Sequence, residues 1–457
     1  MTRFLVAGAG VSGRAAAVML RSIGEDVTVA DDRADAGDVT TAEAKALIDD
    51  GRIDTVVTSP GWRPETPLLV HAQDAGLEVI GDVELCYRLD QAGQFGEPRT
   101  WLAVTGTNGK TTTTSMLAAI MQTHAAKAGQ RAEAVGNIGT AVEDALTDVD
   151  RVDILVAELS SFQLHWSSSL VLESGVLLNL AEDHLDWHGS MEAYTADKAK
   201  VLRAHHPVAN ADDCMVVVEA SRTEKPATWF TMSQPGEGDV GVVDGFIVEN
   251  CDGSFIQLAD AATIEPAGPA GVYDALAAAT VARTQGVAPE TISQALSTFT
   301  VAAHRGATVH RGKKAWVDNS KATNPHAAIS ALAGYDNGVI WVAGGQLKGA
   351  SVDELIATNA RRFTAVAILG HDRALVADAM SRLAPGVPVF VTESSDPVVA
   401  MDELVEFCSG ADGETVLLAP AAASLDMYTG MSQRGDTFAA AARRFDPVNP
   451  ADPAKEH

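Results

Sequence analysis

The chain has 457 residues, of which 46% are hydrophobic and 21% are charged. This balance is typical of a globular protein with more than one packed core. The formal net charge of −28 disfavours nucleic acid as a partner, because phosphate backbones bind basic surfaces. No run of about 18 uncharged apolar residues occurs, and the N-terminus lacks the layout of a signal peptide. We therefore expect a cytoplasmic protein with no membrane insertion.

The first region alternates helical patterns with short apolar runs at residues 4–7, 27–30, 55–58 and 78–80. That alternation predicts a parallel sheet built of βαβ units. The segment Gly8-Ala9-Gly10-Val11-Ser12-Gly13 matches the G-x-G-x-x-G turn, where a helix N-terminus can receive a diphosphate. Asp31 and Asp32 end the second strand, where an acidic residue can bond a ribose hydroxyl. The pattern fits a dinucleotide as well as a UDP group, and Ser59-Pro60-Gly61 is either an ordinary β-turn or a second ligand loop.

The second region opens with a predicted strand at residues 101–105, which runs into Gly106-Thr107-Asn108-Gly109-Lys110-Thr111-Thr112 and then a helical pattern. A glycine loop between a strand and a helix predicts phosphate binding, because its backbone N–H groups converge on phosphate oxygens. In that arrangement Lys110 lies along the β- and γ-phosphates, and the Thr111 hydroxyl reaches Mg²⁺. Val104 occupies the first glycine position of the usual pattern, so the strand, loop and helix together support the prediction.

Carboxylate and imidazole side chains follow further predicted strands at residues 154–158 and 176–180. Glu158 ends the first of these strands, and Asp183-His184 follows the second. A carboxylate beside a phosphate loop can hold the magnesium ion of a nucleotide. Lys198 lies on a helical pattern, where a lysine considered alone is more often an exposed residue. His184 and His188 lie four residues apart, but without H-E-x-x-H or a third ligand they do not indicate zinc.

The third region begins near His304-Arg305 and has predicted strands at residues 315–318, 339–343, 365–369, 389–391 and 415–419. Segments of a polar or glycine-rich character follow three of these strands, at residues 318–324, 344–349 and 419–426. Since the carboxyl ends of parallel strands form the ligand crevice of an open α/β sheet, this recurrence indicates a composite binding site. Arg305, Lys321 and Lys348 supply positive charge in an otherwise acidic protein.

These motifs resemble the Mur ligase family over nearly the whole chain. The resemblance rests on GTNGKTT at 106–112, GNIG at 136–139, ELSSFQL at 158–164, NLAEDHLDWHG at 179–189, HR at 304–305, SKATN at 320–324, GGQLKG at 344–349 and the segment 420–438. It implies an α/β fold of three domains. These are a Rossmann-like UDP-substrate-binding domain (1–98), a central P-loop ATPase-like domain that binds ATP (99–303) and a Rossmann-like amino-acid-binding domain (304–457).

The resemblance also implies site residues. Those for ATP are Gly106, Thr107, Asn108, Gly109, Lys110, Thr111, Thr112, Arg305, Asn319 and Lys321, with His304 as a further contact. Those for magnesium, at two sites, are Thr111, Glu158, His184 and Lys198, the last as a carbamylated lysine. Lys110, His184 and Lys198 are implied to be catalytic. Those for the substrates are Val11, Ser12, Asp31, Asp32, Arg33, Ser59, Pro60, Gly61, Asn137, Ser160, Thr323, Lys348, Ser424 and Met431.

The implied activity is ATP-dependent amide-bond formation in peptidoglycan precursor synthesis, through an acyl-phosphate intermediate. The SKATN and ELSSFQL elements favour the members that join D-glutamate to UDP-N-acetylmuramoyl-L-alanine. The expected cofactors are ATP and Mg²⁺, and the chain is expected to act as a monomer. Three alternatives stay open: a dehydrogenase that uses the glycine turn at residues 8–13, another amide ligase such as a folylpolyglutamate synthase, and a non-catalytic UDP-sugar-binding regulator.

Overall fold

The computed structural model describes residues 2–33, 36–301, 303–335 and 337–447. The chain divides into two compact units. The first contains the described residues up to Ala261 together with Asp274–Thr298, and the second contains Ala262–Tyr273 and the described residues from Phe299 onward. Two sheets form in the first unit and one in the second, which confirms the α/β fold class. The domain boundaries at 98/99 and 303/304 stay a prediction, since the first two sheets share one compact unit.

The first sheet has four parallel strands in the order β2-β1-β3-β4, which is the βαβ arrangement that the alternating apolar runs predict. Its strands are β1 Arg3–Ala7, β2 Asp26–Ala30, β3 Thr55–Thr58 and β4 Glu78–Gly81. Its helices are α1 Val11–Ser22, α2 Thr41–Asp49, α3 Pro67–Asp74 and α4 Asp82–Gln91. A capping box between Thr40 and Glu43 fixes the start of α2.

The second sheet has nine strands in the order β13-β12-β11-β10-β9-β8-β5-β7-β6. The strands are β5 Thr100–Thr105, β6 Ala132–Gly136, β7 Ile154–Glu158, β8 Leu172–Leu177, β9 Ala204–Asn210, β10 Thr228–Phe230, β11 Val240–Val243, β12 Phe246–Cys251 and β13 Ser254–Asp260. The helices are α5 Lys110–Ala126, α6 Val142–Thr147, α7 Ser161–His165, α8 Leu185–His188, α9 Met191–Ala199, α10 Cys214–Ala220, α11 Pro269–Thr284 and α12 Pro289–Ser297. Pairing is parallel from β6 across to β11 and antiparallel in the β11-β12-β13 hairpins.

One predicted strand in this region was wrong in position. The strand expected at residues 176–180 ends at Leu177 as part of β8, and the next residues leave the sheet. They do so because Asn179 pairs with the glycine loop after β5, through its side chain and its carbonyl. The residues after Leu177 therefore support the glycine loop and do not extend β8.

The third sheet has six strands in the order β14-β15-β19-β16-β17-β18, all parallel except the β14-β15 pair. The strands are β14 Ala307–Arg311, β15 Ala315–Asp318, β16 Val339–Gly344, β17 Phe363–Leu369, β18 Val389–Val391 and β19 Thr415–Leu418. The helices are α13 Pro325–Leu332, α14 Asp353–Asn359, α15 Arg373–Leu383, α16 Pro397–Gly410 and α17 Met431–Phe445. Hydrophobic clusters cover both faces of this sheet. The loops after β15, β16 and β19 leave from one edge, as the sequence predicts.

Among the described residues, no helix combines the length and the apolar character that crossing a bilayer requires.

The segment that joins the first two sheets is anchored at its end. Arg99 is buried and donates from Nη1 to Asp90 Oδ1 at 2.7 Å, while its other donors reach the carbonyls of Val152 and Leu146. Trp101 Nε1 donates to the same carboxylate at 2.9 Å. A buried ion pair is tolerated only when its remaining atoms are also bonded, and the bonds above meet that condition. The network therefore fixes where β5 begins.

Two buried carboxyl groups lie on packed helices of the first unit. Asp82 begins α4 and is 5% exposed, and Glu143 lies in the first turn of α6 and is 3% exposed. Glu143 Oε1 has no hydrogen-bond partner among the described residues. Burial, reinforced by the Asp82 carboxyl, raises the pKa of Glu143 to about 8.

The variant Glu143→Gln is therefore expected to stabilise the protein at alkaline pH. The folded-state pKa of Glu143 lies above its ordinary value of 4.5, so its contribution to stability is complete below that value and is lost as pH rises through about 8. Glutamine cannot ionise, so the difference in Tm between variant and wild type should grow from pH 5 to pH 9. Glu290→Gln, at an exposed position on α12, is the control. Parallel pH curves for Glu143→Gln and the wild type would contradict the prediction.

Candidate active site

The loop between β5 and α5 is closely packed around its glycines. Gly109 stands at the start of α5 with φ of +82°, a left-handed conformation that glycine adopts without strain. A Cβ atom at Gly109 would lie 2.4 Å from Asp274 Oδ1, and one at Gly106 would lie 2.8 Å from Leu178 Cβ. The first N–H groups of α5 lie next to this loop, which is the arrangement that favours an anion such as a phosphate.

The segment after β8 holds the glycine loop in place. Asn108 N donates to Asn179 Oδ1 at 2.8 Å, and Asn179 Nδ2 donates back to Asn108 O at 3.1 Å. Thr107 Oγ lies 3.0 Å from Tyr194 Oη and accepts from Ala181 N at the same distance. Asn179 and Tyr194 were not predicted from the sequence to support the loop. The available signal was a polar residue directly after a buried strand, within the NLAEDH segment.

Two lysine ammonium groups converge on this loop. Lys110 Nζ donates to Gly106 O and to Thr107 O, each at 2.9 Å, and Lys198 Nζ donates to the same Gly106 O at 2.7 Å. Lys198 is 2% exposed, and its Nζ lies 4.9 Å from the centre of the Tyr194 ring. Burial lowers the pKa of Lys198 well below its ordinary value, and the neighbouring Lys110 charge lowers it further. A helix lysine considered alone is expected to be exposed, and that expectation is wrong for Lys198, which is buried.

Glu158 connects three of the predicted site segments. It ends β7, is 2% exposed, and accepts from Thr111 Oγ at 2.6 Å through Oε2. Its other oxygen, Oε1, accepts from Asn137 Nδ2 at 2.8 Å. Hydroxyl and carboxylate oxygens are the ligands that Mg²⁺ prefers, so the Thr111–Glu158 pair has the chemistry of a magnesium site. Ser160, two residues beyond Glu158, caps α7, where its hydroxyl accepts from Gln163 N at 3.2 Å.

His184 lies beside this cluster with an unusual backbone. Its φ of +53° is left-handed, and its ring packs against Phe162 with centroids 4.8 Å apart. Burial lowers the pKa of His184, with Asp183 acting in the opposite direction. A neutral imidazole is the form that binds metals. No hydrogen bond among the described residues joins His184 to Glu158 or Thr111.

A second histidine network lies behind these residues. The Asp197 Oδ2 atom lies 2.8 Å from His165 Nδ1 and 3.1 Å from His188 Nδ1. His188 Nε2 lies 3.0 Å from Ser161 Oγ, and Lys200 Nζ lies 3.0 Å from Asp197 Oδ1. This trio has ligand atoms within 4.8 Å of one another. However, the adjacent Lys200 charge opposes a cation, and hydrogen bonds already occupy the carboxylate. The network ties α7 and α8 to α9, which carries Lys198.

A cavity of about 440 Å³ opens at the carboxyl end of the first sheet. Its lining residues are Gly8, Gly10, Asp31, Asp32, Arg33, Thr41, Ser59 and Trp62. It thus brings together the glycine turn and four of the residues predicted to bind the UDP group, Asp31, Asp32, Arg33 and Ser59. Pro60 and Gly61 continue the loop from Ser59 outside this lining. Val11 is 86% exposed at the start of α1, and Ser12 follows it.

The acidic residues of this cavity already have partners. Asp31 accepts from Ala9 N at 2.8 Å and from Arg33 Nη2 at 2.7 Å, and the Arg33 bond holds the pKa of Asp31 well below its ordinary value. Asp32 accepts from the Thr41 hydroxyl and N–H, each at 2.8 Å. Trp62 was missed by the sequence analysis, although an aromatic residue directly after Ser59-Pro60-Gly61 was the available signal. A Cβ at Gly8 would lie 2.7 Å from Trp62 Nε1, so this glycine leaves room for the indole.

In the second unit, hydrogen bonds join the predicted binding loops to one another. Gly344 N donates to Pro420 O at 2.8 Å, and Gln346 and Ala423 exchange two bonds of 2.9 Å. Ala421 N donates to Ala322 O at 2.9 Å, and Lys321 N to His304 O at 3.1 Å. The loops after β15, β16 and β19 therefore form one hydrogen-bonded group.

The individual side chains of that group differ in exposure. Ser424 is buried, Lys348 is exposed with a left-handed φ of +53°, and Asn319, Thr323 and Met431 are half-buried. His304 Nδ1 lies 2.6 Å from Asp318 Oδ2, and Asp318 is fully buried. His304 also has a left-handed φ of +65°, and Arg305 follows it. The binding roles of all these residues stay predictions.

Comparison with known proteins gives the family. Residues 104–282 match the model of the Mur ligase middle domain. The UDP-N-acetylmuramoylalanine–D-glutamate ligase of Corynebacterium diphtheriae is 55% identical over 456 residues, covering 96% of this chain and 95% of the relative. The protein of the same name from Mycobacterium leprae is 44% identical over 482 residues, covering 96% of this chain and 97% of the relative.

Solved structures share the fold at low sequence identity. UDP-N-acetylmuramate-alanine ligase MurC of Thermotoga maritima superimposes with a TM-score of 0.56 at 17% identity, covering 97% of this chain and 98% of that one. The MurF ligase of the same organism, in complex with ADP, gives 0.55 at 17% identity, covering 88% and 91%. These structures support the architecture alone. Since relatives more than half identical extend over almost the entire sequence, the chain belongs to the Mur ligase family, among the UDP-N-acetylmuramoylalanine–D-glutamate ligases.

Proposed function

We propose that this enzyme forms the amide bond between UDP-N-acetylmuramoyl-L-alanine and D-glutamate, using ATP, in peptidoglycan precursor synthesis. Relatives with this name support the substrates. The observation that most strongly supports the chemistry is the cluster at the start of α5, where Lys110, Thr111 and Glu158 surround one glycine loop. A cation, a hydroxyl and a carboxylate at a helix N-terminus suit a polyphosphate and its divalent ion.

Each residue of this cluster has a role in the proposal. The N–H groups of residues 106–112 bind the phosphates of ATP, and Lys110 turns from the loop carbonyls toward the terminal phosphate. Thr111 and Glu158 would hold magnesium, and their oxygens, 2.6 Å apart, fit its ligand preference. When bound, the ion offsets the negative charge that gathers as phosphate is transferred. Asn137 keeps the Glu158 carboxylate oriented.

The reaction proceeds in two steps. An oxygen of the alanyl carboxylate forms a bond to the γ-phosphorus of ATP while the bond to the β-phosphate oxygen breaks, which gives an acyl phosphate and ADP. The deprotonated amine of D-glutamate then attacks the acyl carbon, and inorganic phosphate leaves from the tetrahedral intermediate. The chain orients these groups and supplies positive charge, which accounts for much of the rate increase in phosphoryl transfer.

The second magnesium site is proposed to use His184 and a carbamylated Lys198. The Lys198 amine is buried and bonded to Gly106 O. In its neutral form this amine adds to carbon dioxide and releases one proton. The product is an anionic carbamate whose oxygens can bind magnesium. Beside the Lys110 cation, such an anion also removes the repulsion between two ammonium groups.

Carbamylation predicts a specific spectroscopic result. Protein equilibrated with ¹³C-labelled bicarbonate is expected to show a single carbamate carbon resonance, because Lys198 is a fully buried lysine with a lowered pKa. The resonance should be absent from Lys198→Arg and retained in Lys127→Arg, which alters an exposed lysine. A spectrum identical for wild type and Lys198→Arg would count against the modification.

The UDP group and D-glutamate are assigned to residues by their positions in the sequence motifs. The cavity of the first sheet takes the UDP group, with Asp31, Arg33 and Ser59 in its lining. Thr323, Lys348, Ser424 and Met431 are proposed to bind D-glutamate, and Arg305, Asn319 and Lys321 to contact the nucleotide. The cytoplasmic location and the monomeric state also stay predictions.

The test is phosphate release from ATP and magnesium with UDP-N-acetylmuramoyl-L-alanine, comparing D-glutamate with L-glutamate and other amino acids. Release that depends on both the precursor and D-glutamate is expected. Dependence on another amino acid or a folate would favour a different amide ligase, and no substrate-dependent release would favour a regulator. Binding of NADH in a fluorescence titration would favour the dehydrogenase.

A further inference from the structure

Arg434 is a fully buried arginine near the start of α17. Its guanidinium donates to oxygens at three strand ends of the hydrogen-bonded group in the second unit. Nη2 reaches Ser320 O at 2.9 Å and Nε reaches Ser320 Oγ at 3.0 Å, in the loop after β15. Nη1 reaches the carbonyl of Gly344, the last residue of β16, at 3.4 Å, and that of Ala422, in the loop after β19, at 3.1 Å. One side chain thus connects three separate strand ends.

The charge of Arg434 is not neutralised by direct contact. Within the described parts of the chain its guanidinium forms no ion pair, and its hydrogen-bond acceptors are the uncharged oxygens above. Burial lowers the pKa of Arg434 to about 10, which still leaves it protonated at neutral pH. Burying a cation is costly unless its donors are bonded. The four contacts to carbonyl and hydroxyl oxygens are therefore what allows Arg434 to be buried.

The same helix start contacts a further predicted segment. Ser320 Oγ donates to Met431 O at 2.8 Å while it accepts from Arg434. At Gly435 a Cβ would lie 2.1 Å from His304 Nδ1 and 2.4 Å from Asp318 Oδ2, so only glycine leaves room for that pair. Residues 431–435 therefore lie against every loop of this unit that the sequence analysis linked to ligands.

We propose that Arg434 is the positioning residue of the amino-acid site: it holds the loops that carry Thr323, Lys348 and Ser424, and places positive charge beneath a dicarboxylate substrate. This inference rests on the proposed function. The planar guanidinium has five N–H donors pointing in different directions, whereas a lysine ammonium has three at one atom and cannot reach the same oxygens. Because Arg434 lies behind the loops, its effect on the substrate is exerted through them.

The experiment is steady-state kinetics of Arg434→Lys with each substrate varied in turn. The KM for D-glutamate is expected to rise at least about tenfold, because backbone carbonyls of the loops lose their donors. The KM for the UDP precursor should change by less than about twofold, since its proposed site on the first unit keeps its hydrogen bonds. The KM for ATP should rise less than that for D-glutamate, because only its proposed contacts at Arg305, Asn319 and Lys321 lie in the second unit. Arg443→Lys, an exposed arginine on the same helix, is the matched control and should leave all three values unchanged.

Two results overturn the proposal: an unchanged KM for D-glutamate, or an equal rise in all three KM values, which indicates general damage. If Arg434→Lys shows no cooperative unfolding transition, Ser320→Ala decides, since it removes one acceptor of Arg434 and should raise the D-glutamate KM by roughly threefold while the KM for the UDP precursor stays unchanged. An unchanged value there also refutes the role. Wild-type enzyme that ignores D-glutamate refutes the proposed function instead, independently of both variants.

Discussion

Lys110→Ala is expected to reduce ligation by roughly 10²–10³-fold or more, the loss typical of removing one preorganised donor to a developing negative charge. Lys110 is the cation within the glycine loop, with Nζ 2.9 Å from the carbonyls of Gly106 and Thr107. Two carboxylate substrates and ATP gather negative charge there, and alanine leaves it less compensated. Phosphate release measures the effect, with the precursor and D-glutamate at saturating concentration.

Lys127→Ala is the matched control for this variant. Lys127 stands at the opposite end of α5, where Nζ donates to Thr291 Oγ at 2.6 Å, so its removal costs one partly buried hydrogen bond and no phosphate contact. Near wild-type turnover is expected for Lys127→Ala. Near wild-type turnover for Lys110→Ala would refute the proposed mechanism.

Glu158→Gln is expected to lower kcat by roughly 10²-fold and to raise the magnesium concentration needed for half-maximal activity. The carboxylate accepts from Thr111 Oγ and Asn137 Nδ2 on opposite oxygens. Glutamine has a single acceptor oxygen, so its amide N–H₂ must face one of these donors, and it also loses the charge that attracts the ion. Because the glycine loop keeps its own anchors, nucleotide binding without magnesium should persist.

The readout is a magnesium titration of activity, together with calorimetry of ADP binding with and without the ion. Glu133→Gln serves as control, because Glu133 lies on β6 of the same sheet and its carboxylate pairs with Arg131 at 2.6 Å. A variant whose magnesium dependence matches that of the wild type would place the ion elsewhere.

The strands of the first sheet and most strands of the third were predictable, because buried parallel strands require continuous apolar runs that turns then interrupt. In the nine-stranded sheet the sequence predicted β5 and β7 but misplaced the end of β8, and it did not predict β6, β9 or β10. The glycine loop was predictable for a similar reason, since strand, glycines, lysine and threonine are contiguous. Glu158 followed from its place at the end of β7. In each case the residues that determine the feature lie within about ten positions of one another.

Other features needed contacts between distant residues. The burial of Lys198 arises because Gly106 O, far away in sequence, accepts its hydrogen bond. The support from Asn179, the indole of Trp62 in the first cavity and the His165–Asp197–His188 network have the same origin. Local signals at Asn179 and Trp62 do not say which distant groups they contact, and a helix lysine or arginine considered alone is most often exposed.

The amino-acid sequence by itself determined the α/β class, the order of strands and helices, and the chemistry of the phosphate loop, because these depend on periodicity and on adjacent residues. Only the tertiary structure decided which polar groups became buried and which oxygens they meet. Arg434 illustrates the reason: the energy of a buried charge depends on acceptors from three strand ends, and those are brought together only when the sheet has formed.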